Sequence, residues 1–268
     1  MDAGILNCFL GSVIFILGTI IGSFLNVCIV RLPHEKSVVF PGSHCVHCQK
    51  PIAWYDNIPL LSFIFLGGRC RHCRKRISFR YVIVELTMGL TFLGFYSYFG
   101  LELILLPYLI FVCGLIVATF VDIEHRIIPD EVSIGGMVAG VIFSGLIPTL
   151  HQTDNILLAL GRSGLGVLIG GGSIYLMGML GDFIFKKESM GGGDVKLLAM
   201  VGAFLGWQSA LLTFFIAPFF GAILGIIVKI RTKESVIPYG PFLALGAVIS
   251  LFWSDSLIHW ILTGYGLY

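Results

Sequence analysis

The chain has 268 residues, of which 57% are hydrophobic and 12% are charged, and its formal net charge is +2. Its mean hydropathy is +0.95. Soluble domains carry about 25% charged residues, so the composition excludes an ordinary soluble protein and indicates an integral membrane protein that lies mostly in lipid.

Hydropathy predicts eight membrane-spanning segments, which must be helical because open strands would leave backbone groups without hydrogen bonds in lipid. The fifth segment is glycine-rich, and Gly166 with Gly170 forms a small-xxx-small pair that allows close helix contact. The sixth is short for a span of about 20 residues and could join the seventh, since only Gly206 and Trp207 suggest a turn. The fold class is therefore an all-α polytopic membrane protein. The predicted segments cover residues 5–29, 81–99, 103–121, 132–150, 157–184, 194–206, 208–229 and 240–262.

Lysine and arginine positions predict the orientation of these segments. If the N-terminus lies outside, the inner loops are residues 30–80, 122–131, 185–193 and 230–239. With the adjoining helix ends, these loops hold all of the 17 Lys and Arg residues except Arg162. This asymmetry follows the positive-inside rule. The N-terminus lacks the basic region of a cleaved signal peptide, so we expect none.

The polar insertion at residues 31–80 contains two C-x2-C pairs separated by 21 residues, Cys45 with Cys48 and Cys70 with Cys73. This spacing is typical of a tetrahedral four-cysteine zinc site, and four sulfur ligands leave no open position, so the zinc would be structural. A loop with few large apolar groups also needs such a staple to fold. Disulfides and a redox-active pair are alternatives. An inner location argues against disulfides, and two matched pairs favour zinc.

Two carboxylates stand at the inner membrane edge. Asp122 follows the third predicted segment, and Asp194 begins the sixth after three consecutive glycines. A charged group beside hydrocarbon is costly, which favours a functional role. Two close carboxylates that share one proton supply the base that activates water and the acid that protonates a leaving amine, so the pair predicts a hydrolytic centre. The alternative is that Asp194 is only an N-cap or first-turn acid that the helix dipole favours.

Other polar residues near these positions have simpler interpretations. Glu124 and Asp130 are loop acids, and Asp130 could cap the fourth segment. Glu85 lies about one turn inside the second segment and could pair with Arg80. Lys196 could tune the two aspartates or extend to the headgroups.

Taken together, these residues resemble the type IV prepilin peptidase family, also called prepilin leader peptidase/N-methyltransferases. The loop from Asp122 to Asp130 is similar to the first catalytic motif of that family. The segment GGGDVK at 191–196 is similar to the second, which also fits the G-x-G-D pattern of presenilin-type intramembrane aspartyl proteases. Val46 stands where the family often has proline, which leaves the metal ligands unaffected. Further similarities are GSFLNV at 22–27, RLP at 31–33, the two cysteine pairs, DNIP at 56–59, residues 81–85 and PYGPF at 238–242.

The resemblance implies a membrane aspartyl endopeptidase that removes the short basic leader of type IV prepilins or pseudopilins at the cytoplasmic face, after a glycine. It implies that Asp122 and Asp194 are catalytic and that the four cysteines bind structural Zn²⁺. It also implies that S-adenosylmethionine is used to methylate the new N-terminal residue. No residue can be assigned to this cofactor, because the chain lacks a glycine-rich Rossmann fingerprint. The expected partners are substrates with a hydrophobic N-terminal helix and membrane lipid, not nucleic acid.

The implied location is the bacterial inner membrane, with a periplasmic N-terminus and an active site at the cytoplasmic face. We divide the chain into a first transmembrane helix at 1–30, a cytoplasmic zinc-binding insertion at 31–80 and a transmembrane aspartyl protease core at 81–268. The sequence does not distinguish pilin from pseudopilin substrates, nor does it give the oligomeric state or the aspartate that carries the proton.

Three alternative functions stay open at this point. A transporter or channel with a zinc-stabilised loop would need ionisable groups along a path through the membrane, whereas most charges of this chain cluster at one face. A methyltransferase with structural aspartates would act on a trimmed pilin but not on one that carries its leader. An archaeal-type preflagellin peptidase is a close relative of the membrane aspartyl peptidase interpretation, but the long cysteine-bearing insertion fits the bacterial branch of the family better.

Overall fold

A computed structural model of the chain describes residues 3–186, 190–232 and 237–264. These residues are largely helical and contain no strand, only two isolated β-bridges. Parts of the predicted inner loops 185–193 and 230–239 lie outside them. The chain divides into two compact units, Met1–Leu105 and Leu106–Tyr268. The α-helices are α1 (Ala3–Arg31), α2 (Leu61–Phe65), α3 (Arg80–Phe99), α4 (Leu105–His125), α5 (Asp130–Leu146), α6 (Ile156–Phe185), α7 (Gly192–Thr232) and α8 (Gly240–Thr263).

Each predicted hydrophobic segment coincides with a helix or with part of one. Six of the described helices are long and apolar enough to cross a membrane. Helix α5 has 17 residues and coincides with the fourth predicted segment. Helix α7 covers both the sixth and the seventh, with non-helical backbone angles at Gly206 between them. The all-α polytopic fold class is confirmed.

Helices α1 and α3 of the first unit pack antiparallel because glycines let their backbones approach closely. A Cβ atom added at Gly18 would lie 2.7 Å from the carbonyl oxygen of Met88, and one at Gly22 would lie 2.8 Å from the Cα atom of Glu85. The insertion between these helices contains α2 and the four paired cysteines. Glu85, predicted to pair with Arg80, accepts a hydrogen bond from the backbone N–H of Leu60 in this insertion at 2.8 Å.

The N-terminal half of α7 forms the core of the second unit, where it packs against α5, α6 and α8. Its buried side chains include Leu197, Leu198, Val201 and Phe204, none of which is exposed. The glycine-rich helix α6 lies against it without intervening side chains. A Cβ atom added at Gly166 would overlap the carbonyl of Gly202, and the reverse is also true. Gly170 similarly contacts the carbonyl of Leu198. The predicted small-xxx-small pair therefore does allow close helix contact.

Helix α7 breaks at Gly206, where φ is 79° and ψ is 174°, a conformation that glycine adopts readily. A break of this kind disturbs the i→i−4 ladder, and unpaired carbonyls are costly in lipid. The carbonyl of Ala203 accepts hydrogen bonds from the hydroxyls of Ser163 at 2.9 Å and Ser144 at 3.4 Å. Ser144 also contacts the buried ring of His151 at 2.8 Å. These buried polar side chains stabilise the interruption between the two segments.

The substitution Gly166→Ala should lower the free energy of unfolding by about 1–3 kcal/mol, because an extra methyl group here pushes two helix backbones apart. Gly172→Ala on the same helix is the matched control, since a Cβ atom at Gly172 meets no atom within 4 Å. Thermal unfolding of the purified proteins in detergent measures both. Equal Tm values for the two variants would contradict this packing.

Candidate active site

Asp122 lies in the last turn of α4 and is buried, with 6% of its surface exposed. Its Oδ2 atom accepts a hydrogen bond of 2.7 Å from the backbone N–H of Gly240, the first residue of α8. The negative end of the α4 dipole disfavours a carboxylate at this position, whereas the N-terminus of α8 favours one. The contact with α8 therefore compensates an otherwise unfavourable location.

Asp194 lies in the first turn of α7 and is half-buried. Its backbone N–H donates to the carbonyl of Gly191 at 3.1 Å. The alternative that Asp194 is a first-turn acid is therefore correct as a description of its position. It is not the whole description, because the carboxylates of Asp122 and Asp194 are close enough to interact electrostatically. The structure therefore brings the two predicted residues together in one unit.

Tyr239 lies beside both carboxylates. Burial and, to a smaller extent, the negative charge of Asp194 raise the pKa of its phenol to about 12. The backbone N–H of Tyr239 also interacts with Asp122. The phenol consequently stays protonated at neutral pH and is available as a hydrogen-bond donor. The sequence places Tyr239 and Gly240 in a motif similar to the family's but indicates no role for either. The local signal is Pro241, which marks the start of the following helix.

Two further contacts hold the segment after Asp122 against the start of α7. Gly193 packs on Ile128, where an added Cβ atom would lie 3.0 Å from the Ile128 Cβ atom. The Nζ atom of Lys196 forms an ion pair with Oδ1 of Asp130 at 2.7 Å. Asp130 was predicted as a possible cap of the fourth segment, but the N-cap of α5 is Pro129, without a side-chain cap. Asp130 and Lys196 instead link the two aspartate-bearing segments.

The first unit holds a separate cluster of four thiols, from Cys45, Cys48, Cys70 and Cys73. Their sulfur atoms all lie within 4.8 Å of one another, and those of Cys45 and Cys73 are 3.8 Å apart. A tetrahedral site with metal–sulfur bonds of about 2.3 Å has sulfur–sulfur edges of about 3.8 Å. None of these four cysteines forms a disulfide, so the disulfide alternative is not realised here. These four residues could hold a metal ion.

The two cysteine turns have the same backbone design. Cys45 donates to the carbonyl of Lys50 and Cys70 donates to that of Lys75, at 3.0 and 2.9 Å. The residue after each pair, Gln49 or Arg74, has a positive φ of 58° or 59°. Backbone N–H groups lower the pKa of the Cys70 thiol to about 7, whereas the pKa of the neighbouring Cys73 thiol is raised to about 11. Cys70 is therefore the thiol that most readily supplies the thiolate that a metal requires.

An ion pair joins the second turn to the segment between the two cysteine pairs. Arg71 donates from Nε and an η nitrogen to both carboxylate oxygens of Asp56, at 2.7 and 2.6 Å. The hydrogen bonds from the Arg71 guanidinium are the main reason that the pKa of Asp56 is lowered. The Arg71 guanidinium also lies over the ring of Tyr55, 5.6 Å from its centroid. The thiol cluster is therefore supported by its own surroundings.

These features define an all-helical membrane protein that places two aspartates together at helix ends and carries a four-thiol cluster. Two family models match the chain, the bacterial peptidase A24 N-terminal domain at residues 16–99 and the type IV leader peptidase family at residues 109–226. The chain belongs to the type IV leader peptidase family. Its membrane helices and bacterial relatives make it a multi-pass inner membrane protein.

Three relatives that are named prepilin leader peptidase/N-methyltransferase illustrate the similarity. The Aeromonas hydrophila protein is 32% identical over 95% of this chain and 94% of its own length, and the Legionella pneumophila protein is 33% identical over 94% of each. The Myxococcus xanthus protein is 38% identical over 83% of this chain, but the match spans only 64% of that protein. No solved structure matches the chain.

Gly240→Ala should lower the free energy of unfolding by about 1.5–3 kcal/mol, the range for a hydrogen bond to a charged group. An added Cβ atom would lie 2.9 Å from Oδ2 of Asp122, so the carboxylate must move away from the α8 N-terminus. Gly192→Ala is the control, because Gly192 also begins a helix but a Cβ atom there meets open space. Denaturation in detergent measures the free energy of unfolding of both variants. A Gly240→Ala protein as stable as the wild type would contradict the contact.

Proposed function

We propose that this chain is a membrane aspartyl endopeptidase that removes the basic leader of type IV prepilins or pseudopilins, with Asp122 and Asp194 as its catalytic residues. The observation that carries the proposal is the approach of these two carboxylates at the ends of α4 and α7. Membership of the type IV leader peptidase family supports the reaction class. The names of the relatives support the substrate class.

The chemistry follows from the needs of peptide hydrolysis. A water molecule between two carboxylates that share one proton loses a proton to the ionised group and attacks the carbonyl carbon of the scissile bond. The protonated group then supports the developing oxyanion, and a proton passes to the leaving amine. The Gly240 backbone N–H fixes the orientation of Asp122 for this step. The neutral phenol of Tyr239 adds a donor beside the pair.

Access for a peptide is provided at Gly192, two residues before Asp194. Side chains would project into open space at Gly192, so an extended substrate segment can lie along this backbone. We place the site at the cytoplasmic face and the N-terminus in the periplasm, because Lys and Arg concentrate in the inner loops. A prepilin with a hydrophobic helix in the lipid and a basic leader in the cytoplasm presents its cleavage point at the same depth.

Asp122→Asn and Asp194→Asn should each lower the rate of prepilin cleavage by about 10²–10⁴-fold, because each removes one acid–base group and keeps the side-chain size. The matched control is Asp154→Asn, an exposed aspartate outside the helices, which should cleave at the wild-type rate. Cleavage is followed with the purified full-length protein and a leader-bearing prepilin in detergent. Wild-type rates for either site variant would refute the catalytic assignment.

We also propose that the metal of the four-cysteine cluster is Zn²⁺ and that its role is structural. The all-sulfur donor set and the 3.8 Å separation of two of the sulfur atoms fit tetrahedral zinc. With four protein ligands no position remains for water, so the ion would stabilise the insertion and take no part in hydrolysis. The domain division into residues 1–30, 31–80 and 81–268 is part of the same proposal.

Cys45→Ser should reduce the zinc content of the purified protein from about one ion per chain to a small fraction, since one weakened ligand opens the site. Cys8→Ser is the control, because Cys8 is an exposed cysteine on α1. Elemental analysis of the two variants and the wild type gives the number of zinc ions per chain. Equal zinc in all three, or another metal in the wild type, would reject the assignment.

The second activity that we propose is N-methylation of the trimmed pilin with S-adenosylmethionine, which supplies the methyl group when it is bound. The names of the relatives support this activity. In the first unit, the buried side chains of Glu85 and Asn26 fit a ligand that carries an ammonium group. If the aspartates were only structural, the wild-type protein would methylate a trimmed pilin but would not cleave one that carries its leader.

A further inference from the structure

The packed helices α1 and α3 bury a pair of polar side chains in the half that leads to the insertion. Glu85 on α3 is 7% exposed and Asn26 on α1 is fully buried. The Asn26 Nδ2 atom donates to the carbonyls of Gly22 and Tyr81, at 3.3 and 3.2 Å. Its Oδ1 atom has no hydrogen-bond partner among the described residues. A buried carbonyl oxygen without a donor is costly and points to a missing partner.

Glu85 belongs to the same interface as Asn26. Tyr81, which contacts Asn26, precedes Glu85 by four residues on α3, and Gly22 packs on the backbone of Glu85. The Glu85 carboxylate accepts hydrogen bonds from the Ser23 hydroxyl and the Leu60 backbone. Both of these donors are uncharged. An ammonium group offers three donors and a positive charge, which an adjacent carboxylate and carboxamide oxygen can accept together.

The backbone at Leu60, which contacts Glu85, is strained. Leu60 has φ 60° and ψ −49°, and the N–H of Leu61 bonds to the carbonyl of Pro59 at 2.6 Å. These values define a γ-turn with positive φ, a rare conformation that is unfavourable for a side chain such as leucine. The hydrogen bond from Leu60 to Glu85 holds this turn in place at 2.8 Å. Strain of this kind persists where the surroundings impose it and is common at ligand clamps.

We propose that Glu85 and Asn26 form an ammonium-binding site and that the Leu60 turn is its lid. The incoming ammonium replaces the Leu60 N–H at Glu85 and supplies the donor that Asn26 Oδ1 lacks, which lets the γ-turn relax and open. The proposal rests on the proposed methylation, whose two reactants both carry a primary ammonium group. One is the amino-acid end of S-adenosylmethionine, and the other is the new N-terminus of the trimmed pilin.

Hydrogen–deuterium exchange of the Leu60 amide in the full-length protein tests the lid. S-adenosylmethionine or a synthetic peptide with the trimmed pilin N-terminus should increase exchange at Leu60 about tenfold or more, because the bond to Glu85 is lost. Simple burial by a ligand would instead slow it. Methylthioadenosine and the N-acetylated peptide, which lack the ammonium group, are the control ligands and should leave exchange unchanged. Slower or unchanged exchange with both ammonium ligands, or failure of both to bind, would overturn the proposal.

Glu85→Gln tests the charge while keeping an oxygen that can accept from Leu60. It should weaken binding of the responsible ligand about 10- to 100-fold, the range for losing a charge-assisted hydrogen bond. Glu102→Gln makes the same charge change at an exposed position of the first unit and should bind as the wild type does. Zinc content equal to wild type shows that the insertion of the Glu85→Gln protein is still folded. Unweakened binding in Glu85→Gln would also overturn the proposal.

The same experiment distinguishes S-adenosylmethionine from the trimmed pilin as the ligand. It also distinguishes a failure of the ammonium site from a failure of the proposed function. If only S-adenosylmethionine binding depends on Glu85, the site holds the cofactor; if only peptide binding does, it holds the trimmed pilin. Wild-type protein that binds an ammonium ligand and opens at Leu60, yet neither cleaves prepilin nor methylates the product, would refute the proposed function and leave the ammonium site standing.

Discussion

The hydrogen bond from the Gly240 backbone to Asp122 is the contact on which the candidate site depends. A carboxylate at the C-terminal end of a helix, beside lipid, would by itself be unfavourable. The N-terminus of α8 makes this location tolerable and brings Tyr239 next to both aspartates. The ion pair between Lys196 and Asp130 then holds the start of α7, which carries the second carboxylate, against the segment after Asp122. The site is thus assembled from the ends of three helices and from no single continuous motif.

The break in α7 shortens the helix that begins beside Asp194. The segment from Gly192 to Gly206 is roughly 20 Å long at 1.5 Å per residue, less than the hydrocarbon thickness of about 30 Å. Asp194 therefore begins a short helix that is buried from Leu197 to Phe204. Ser144 and Ser163 provide the donors that the interrupted helix would otherwise lack. Stability at the break thus supports the position of a carboxylate at the other end of the same helix.

Residue type and spacing predicted much of this protein. The eight hydrophobic segments, the four-thiol cluster and the approach of Asp122 to Asp194 all follow from signals that are local or set by lipid. The role of Gly240, the ion pair of Lys196 and the contact of Leu60 with Glu85 do not, because each joins residues far apart in the chain. The residue type of a glycine or a loop acid does not indicate which distant residue it contacts. Periodicity gives the faces of helices, but not the pairs that meet across them.

The mutual contact of Gly166 and Gly202 limits how this protein can change over time. Each glycine abuts the main chain of the other helix, not a side chain that could be trimmed. A larger residue at one position therefore has no local suppressor, since every amino acid at the other position retains the same carbonyl. Both glycines are therefore expected to be conserved together in evolution. Substitutions in α6 are expected at its lipid-facing positions instead.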